Sequence, residues 1–240
     1  MDSVGIIGWG RFGRLLGEIL KNDYELKVYD QNPTSSDETS FVSWDEIIRE
    51  KTLFLCVPIR EFKSLVKELA LQLTGEVTVL DVCSVKVYPV TVMLDHLPDS
   101  VGIIATHPLF GPDSWNAPVP HRLVMHRTRD CYHQFDRWEN YFRSQNMEVL
   151  DLSPEEHDLL AARTQGLTHF IGRVLRDAEV TATEIDTLGF SDLLQVVDQT
   201  CNDSWELFLD LQNFNPFTMG MIHRMETSMA HIRQRILDRK

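Results

Sequence analysis

Short apolar runs alternate with amphipathic stretches along the first 150 or so residues, and each change of period marks a change of element. Residues 4–8 read as a buried strand. Phe12, Leu15, Leu16, Ile19 and Leu20 then recur at helical spacing within 11–21. Further strands are predicted at 26–29, at 53–57 where Pro58 stops the run, at 77–82, 101–105, 123–126 and 147–152. Helices are predicted at 44–50, 61–73 and 132–144, and the polar stretch "QNPTSSDET" at 31–39 reads as a loop. Repeated strand–helix–strand units predict a doubly wound α/β fold, a parallel sheet with helices on both faces.

The pattern changes after residue 152. In "SPEEHDLL", Ser153 stands as an N-cap, Pro154 at the first helical position and Glu156 three residues after the cap. From there the periodicity is helical throughout, and "NPF" at 215–217 opens a last helix running to about Leu237. The chain therefore divides into a sheet domain, 1–152, and an all-helical domain, 153–240. A helical segment of this size, with Phe, Met and Leu spread around it, predicts dimerisation through the C-terminal helices. The plainer alternative folds the same helices over the sheet domain of their own chain. No appended regulatory segment is expected.

Composition narrows the function. The 240 residues carry 23 basic and 36 acidic side chains, a net charge of -13, which argues against nucleic acid and anionic membranes as partners. No apolar run approaches the 18 or so residues of a membrane span, and the acidic start "MDSVGIIGWG" does not read as a signal peptide. Cys56, Cys83, Cys131 and Cys201 form no Cys-x-x-Cys pair, as expected of reduced thiols in a cytoplasmic protein. The nine histidines show no metal-ligand spacing, so no metal is expected.

The clearest motif is Gly8-x-Gly10-x-x-Gly13, between an apolar strand and an amphipathic helix. In that context it predicts a Rossmann-type turn. The first glycine allows the turn, the second lets a pyrophosphate approach, and the third lets helix and strand pack closely. Asp30 ends the second strand, 22 residues after Gly8, and a carboxylate there binds ribose hydroxyls and repels a 2′-phosphate. NAD is therefore expected over NADP, with a flavin as an alternative occupant. The expected cofactor set is Gly8, Trp9, Gly10, Arg11, Phe12, Gly13, Asp30, and Val57 and Pro58 at the end of the third strand.

Ligands of such a sheet lie beyond its C-terminal strand ends. "DVCSVK" at 81–86 closes one strand, and the "ATHPLFGP" stretch places His107 at the end of another. An imidazole with an ordinary pKa near 6.5 suits a base beside a carbinol oxygen. Ser84 can hydrogen-bond the same oxygen, and Lys86 can supply positive charge. The bland alternative makes His107 a strand-end histidine bonded to a nearby carbonyl. Gln165, His169 and Arg173 recur at i, i+4, i+8 and share a helix face, flanked by Arg163 and Thr168. Alone, that stripe also reads as plain solvated surface.

Together "GWGRFG", "DVCSVK", "HPLFGP", "TQGLTHFIGR" (164–173) and "GFSDLLQVVDQTCNDSWELF" (189–208) resemble the prephenate/arogenate dehydrogenase family, the last two looking most like its plant-type branch. The resemblance implies oxidative decarboxylation of a cyclohexadienol: hydride passes to NAD, the ring carboxylate leaves as carbon dioxide, and the ring aromatises. It implies that His107 takes the hydroxyl proton and Ser84 positions that hydroxyl. It also implies that Lys86, Gln165, Thr168, His169, Arg173 and Gln195 contribute to the substrate pocket, and that the helical domain dimerises. Gln195 departs from the pattern. Many bacterial relatives carry an arginine there and plant-type enzymes an acidic residue. A neutral amide suits the keto acid prephenate better than the ammonium group of arogenate. Arg173, Lys86 and Arg163, in that order, are the expected substitutes for the missing cation, with Arg224 reaching across a dimer. Two other readings stay open: a different hydroxyacid- or imine-reducing dehydrogenase, which the absence of lysine from 156–176 opposes, and a non-catalytic NAD-sensing relative.

Overall fold

The computed structural model describes residues 1–33 and 41–239; the predicted polar loop at 31–39 lies largely outside them. The described chain divides into two compact units, Met1–Glu155 and Glu156–Lys240, a boundary inside the first turn of a helix rather than just before it.

In the first unit, seven strands form one sheet in the order β2-β1-β3-β4-β5-β6-β7. They are β1 (Ser3–Ile7), β2 (Glu25–Tyr29), β3 (Thr52–Leu55), β4 (Thr78–Asp81), β5 (Gly102–Pro108), β6 (His121–Arg129) and β7 (Met147–Asp151). The first five are parallel, as their near-continuous apolar runs predict. Their crossovers carry α1 (Arg11–Leu20), α2 (Trp44–Ile47), α3 (Ile59–Ala70) and α4 (Val87–His96). α1, α2 and α3 end before their predicted C-termini, with Lys21, Ile48 and Leu71 as C-caps, and α3 begins at Ile59, two residues earlier than predicted.

Two features correct the all-parallel expectation. β6 runs antiparallel to β5, and β7 runs parallel to β6. The segment between β5 and β6 contains no crossover helix. It turns back within 111–117, where Ser114 N donates to Gly111 O (3.0 Å) and Ala117 N to Ser114 O (3.1 Å). Without a crossover, the returning strand can pair only antiparallel. β5 is also longer than predicted. It continues through His107 and Pro108, opposite Val124 and Leu123, and Leu109 N still donates to Arg122 O at 2.8 Å. Pro108 therefore prolongs an extended strand; the turn comes later. A proline has no N–H to give a ladder, but its fixed φ is compatible with strand backbone.

The core on one face of the sheet joins α1 and α5 (Phe135–Ser144) to Ile6, Phe54, Leu80 and Ile104. Trp138 of α5 is its centre: fully buried, stacked on Tyr24 at 5.3 Å and edge-on to Phe54 at 4.9 Å. α3 and α4 pack together in the opposite layer.

The second unit holds most of α6 (Pro154–Ala161), then a single π-helical turn, Ala162–Gly166, and α7 (Leu167–Asp177), α8 (Leu188–Cys201), α9 (Trp205–Asn213) and α10 (Thr218–Leu237). Gly172 lets α7 and α8 approach: a β-carbon there would lie 1.9 Å from Thr200 Oγ1. Ser204 and Thr187 cap α9 and α8 by accepting from Leu207 N (3.1 Å) and Phe190 N (3.4 Å).

Trp138→Ala is expected to lower unfolding free energy by about 3–5 kcal/mol, the usual cost of emptying a large aromatic site. Urea denaturation followed by far-UV circular dichroism measures it.

Candidate active site

The parallel register brings four strand ends level. Ile7 pairs with Leu55, Leu55 with Asp81, and Asp81 with Ala105. One step further, Gly8, Cys56, Val82 and Thr106 form the next row, and His107 follows in the row after. The glycine turn, the 81–86 segment and His107 thus share the C-terminal edge of the sheet within one unit.

The turn itself has the shape a pyrophosphate needs. Gly8 has φ +99°, and a β-carbon on it would meet Cys56 O at 2.5 Å. A β-carbon on Gly13 would lie 2.2 Å from Gly8 O, so only glycine lets α1 start this close to the turn. At Gly10 a β-carbon would meet nothing within 4 Å, which leaves that side open to a ligand. Gly10 is the N-cap of α1, with no side-chain cap and no acidic residue in the first turn. Gly10 thus brings no side chain of its own to this helix start, an end of a helix that favours an anion. These residues fit a dinucleotide.

Asp30 closes the turn from β2. Its Oδ2 accepts from Trp9 N (2.6 Å) and its Oδ1 from Asn32 N (2.8 Å). A carboxylate offers about four lone-pair sites, so acceptor capacity remains for ribose hydroxyls. The Trp9 ring folds back over Gly17, so the backbone of Trp9 faces the turn while its side chain packs inward. Arg11 is exposed and pairs with Asp113 of the β5–β6 loop, and Phe12 packs near Phe110 of the same loop at 6.4 Å. Val57 is half-buried and Pro58 exposed at the start of α3.

His107 is 3% exposed. Thr106 and Pro108 border an apolar recess with Phe12, Leu16 and Phe110. By strand alternation, His107 stands on the opposite face of the sheet. Ser84 is half-buried in the segment between β4 and α4.

Lys86 corrects the sequence reading. It was expected to offer a cation to substrate, but it is 1% exposed. Its Nζ donates to Asp81 Oδ2 and to Thr106 O. Asp81, itself fully buried, also accepts from Cys83 N (3.1 Å) and Thr106 N (3.3 Å). Removing one partner of such a pair costs about 3–5 kcal/mol, because the other charge stays buried. Asp81 and Thr106 are the site neighbours that periodicity did not reveal; the Asp-x-x-x-x-Lys spacing inside "DVCSVK" was the available signal. Burial, aided by Asp81, pushes the Cys56 and Cys83 thiols well up, so neither is a thiolate nucleophile near neutral pH.

The remaining candidates lie in the second unit. The π turn shifts Gln165 out of strict i, i+4 phase with His169, because each π turn holds an extra residue. Gln165 and His169 are half-buried, and Gln195 is exposed on α8. Thr168 is exposed, but its hydroxyl donates to Thr164 O (2.9 Å), next to the π turn. Arg173 is also less available than expected: Nη2 donates to Asp203 O (2.6 Å), and the guanidinium stacks on Trp205 and Phe208. Arg163 and Arg224 are exposed. Two buried groups went unmarked in the sequence. His157 Nδ1 lies 2.8 Å from Asp158 Oδ1, and Gln212 Nε2 donates to Gly166 O at 3.0 Å.

Burial lowers the His169 pKa, with Arg173 adding to the effect and Asp203 opposing it. The unfolded chain therefore binds the proton more tightly than the folded one. Neutral His169 favours folding above about pH 6.5, and that contribution is lost as pH falls through its lowered value. Thermal melts between pH 7 and 5 are expected to show a shallower loss of stability for His169→Gln than for the parent chain.

Residues 24–117 match the family described as "Prephenate dehydrogenase, nucleotide-binding domain", and 174–240 match "TYRAAT1-like, C-terminal domain". Arogenate dehydrogenase 1, chloroplastic, of Arabidopsis thaliana is 28% identical over 99% of this chain. Arogenate dehydrogenase 2, chloroplastic, of the same plant is 27% identical over 99%. The chain spans 39% of the length of the first and 70% of the second. A crystal structure of Aquifex aeolicus prephenate dehydrogenase with hydroxyphenyl propionate and NAD+ superposes with a TM-score of 0.79 at 20% identity. The alignment covers 99% of this chain and 91% of that one, and it shows the fold. Its nucleotide-binding segment matches the prephenate dehydrogenase model, and along 99% of its length the chain is similar to arogenate dehydrogenases.

Proposed function

We propose that this protein is an NAD-dependent dehydrogenase that oxidatively decarboxylates arogenate or prephenate. The observation that carries the reading is the shared strand-end row: the open glycine turn, Ser84 and His107 lie on one edge of one sheet. NAD, when bound, supplies the hydride acceptor. The α1 N-terminus and the Gly8–Gly13 turn hold its pyrophosphate, and Asp30 holds a ribose. The fixed carboxylate of Asp30 favours a free 2′-hydroxyl over a 2′-phosphate, hence NAD over NADP. Ser84 orients the ring hydroxyl of the substrate. An imidazole nitrogen of His107 takes that hydroxyl's proton as hydride leaves the same carbon. The ring carboxylate then departs as carbon dioxide, and the ring becomes aromatic. The burial of His107 keeps bulk water from the transferring proton.

Arogenate is the first substrate to test, because the two plant relatives aligned along 99% of the chain carry that name. Prephenate is the second reading, favoured by the neutral Gln195 amide. With Lys86 committed to Asp81 and Arg173 to the 203–204 backbone, Arg163 and Arg224 become the leading candidates for holding a substrate carboxylate. The four free cysteines suit a reducing compartment such as the cytoplasm. No helix among the described residues is long and apolar enough to cross a membrane.

The second unit also supports a homodimer. Leu188, Met219, Met229, Ile232 and Ile236 on α8 and α10 are more than half exposed in the single chain. Light scattering is expected to give about twice the 27.7 kDa chain mass, and Ile232→Glu is expected to shift it toward one chain.

His107→Asn is expected to keep NAD affinity and to lower turnover by roughly 10²–10⁴-fold, the range for a lost general base. NADH absorbance with arogenate and prephenate in parallel measures it. Near-parental turnover would return His107 to a structural role.

A further inference from the structure

We propose that the buried Asp81–Lys86 pair is a positioning device that fixes Ser84 and His107 relative to one another. The proposal rests on the dehydrogenase reading above. Asp81 is the last residue of β4, and Lys86 directly precedes α4. Their ion pair closes the five-step segment between them, and Ser84 lies inside that closed segment. The same two side chains grip the residue before His107. Thr106 N donates to Asp81 Oδ1, and Thr106 O accepts from Lys86 Nζ. Thr106 Oγ1 donates to Asp81 O. Every polar group of Thr106 is thus held by Asp81 or Lys86. A fourth bond, Cys83 N to Asp81 Oδ2, holds the residue next to Ser84.

Two apolar side chains of similar volume would bind β4 to β5 without this arrangement. A buried ion pair is no more stabilising than such a substitute, and is often less so, because both charges lose their hydration. What it adds is direction. Each carboxylate oxygen and the ammonium group accept only certain angles, so segment and strand are locked at a fixed offset. Asp81, Lys86 and Thr106 are each no more than 2% exposed, so water does not loosen the lock. Asp81 and Lys86 act through Ser84 and His107; neither is placed in contact with substrate.

The test uses the full chain and two variants. In Asp81→Asn/Lys86→Met both charges go together, so no lone charge stays buried. Lys86→Arg keeps the charge and changes the reach. For at least one folded variant, NAD affinity by titration is expected to stay within about 3-fold of the parent, because the glycine turn is untouched. kcat is expected to fall at least 10-fold, with a smaller change in KM. Crystal structures of parent and variant are expected to show the Ser84-to-His107 separation altered while the Gly8–Gly13 turn superposes. An unchanged separation overturns the proposal whatever the activity. So does a kcat within 2-fold of the parent, or a loss of NAD affinity in step with kcat. Parent chain inactive on both arogenate and prephenate would instead contradict the dehydrogenase reading, and the crystallographic separation would still decide the positioning role. If neither variant folds, the pair is a stability element and the proposal fails.

Discussion

The register of the parallel ladder from β1 through β5 is the constraint on which the rest depends. Successive strands in a parallel sheet start and stop in step, so their C-terminal residues share one edge. Ile7, Leu55, Asp81 and Ala105 are hydrogen-bonded neighbours across that edge. Gly8 lies one residue beyond Ile7, Ser84 three beyond Asp81 and His107 two beyond Ala105, while Asp30 follows the last residue of β2. A slip of one residue at β5 would turn His107 to the other face, where Thr106 and Pro108 meet the apolar recess against α1. The fully buried row of Ile6, Phe54, Leu80 and Ile104 resists such a slip, since each side chain would leave its packing against α1 and α5 for the opposite face.

Two kinds of interaction tune that edge. At the glycine turn the determinant is steric, because Gly13 sits where any β-carbon would strike Gly8 O. At β4 and β5 it is electrostatic, because Asp81 and Lys86 join backbone groups that a ladder alone would leave to water. The turn leaves open space for a ligand and the ion pair leaves none, which separates a binding feature from a positioning one.

Much of this was legible in the sequence, for identifiable reasons. Apolar runs and helical spacing located the elements, since burial on both faces of a parallel strand leaves a continuous signal. The glycine spacing and Asp30 were readable because their roles are backbone-local. What escaped depends on partners distant in sequence. The reversal at β6 depends on how 111–117 folds back, which alternation does not encode. The π turn at Ala162–Gly166 shifts Gln165 by an extra residue within a normal-looking helical pattern. Lys86 read as an available cation because the Asp81-to-Lys86 spacing alone does not reveal burial, and its other partner, the Thr106 carbonyl, lies twenty residues on. Arg173 misled in the same way, its guanidinium engaged by carbonyls thirty residues on.

The central claim is that the glycine turn and His107 serve one reaction from one edge. A crystal structure with NAD and a hydroxyphenyl product analogue tests it most directly. The account predicts an imidazole nitrogen of His107 within about 2.6–3.2 Å of the analogue's hydroxyl, beside the nicotinamide. A nicotinamide bound at the turn with that imidazole directed away from the hydroxyl would contradict it.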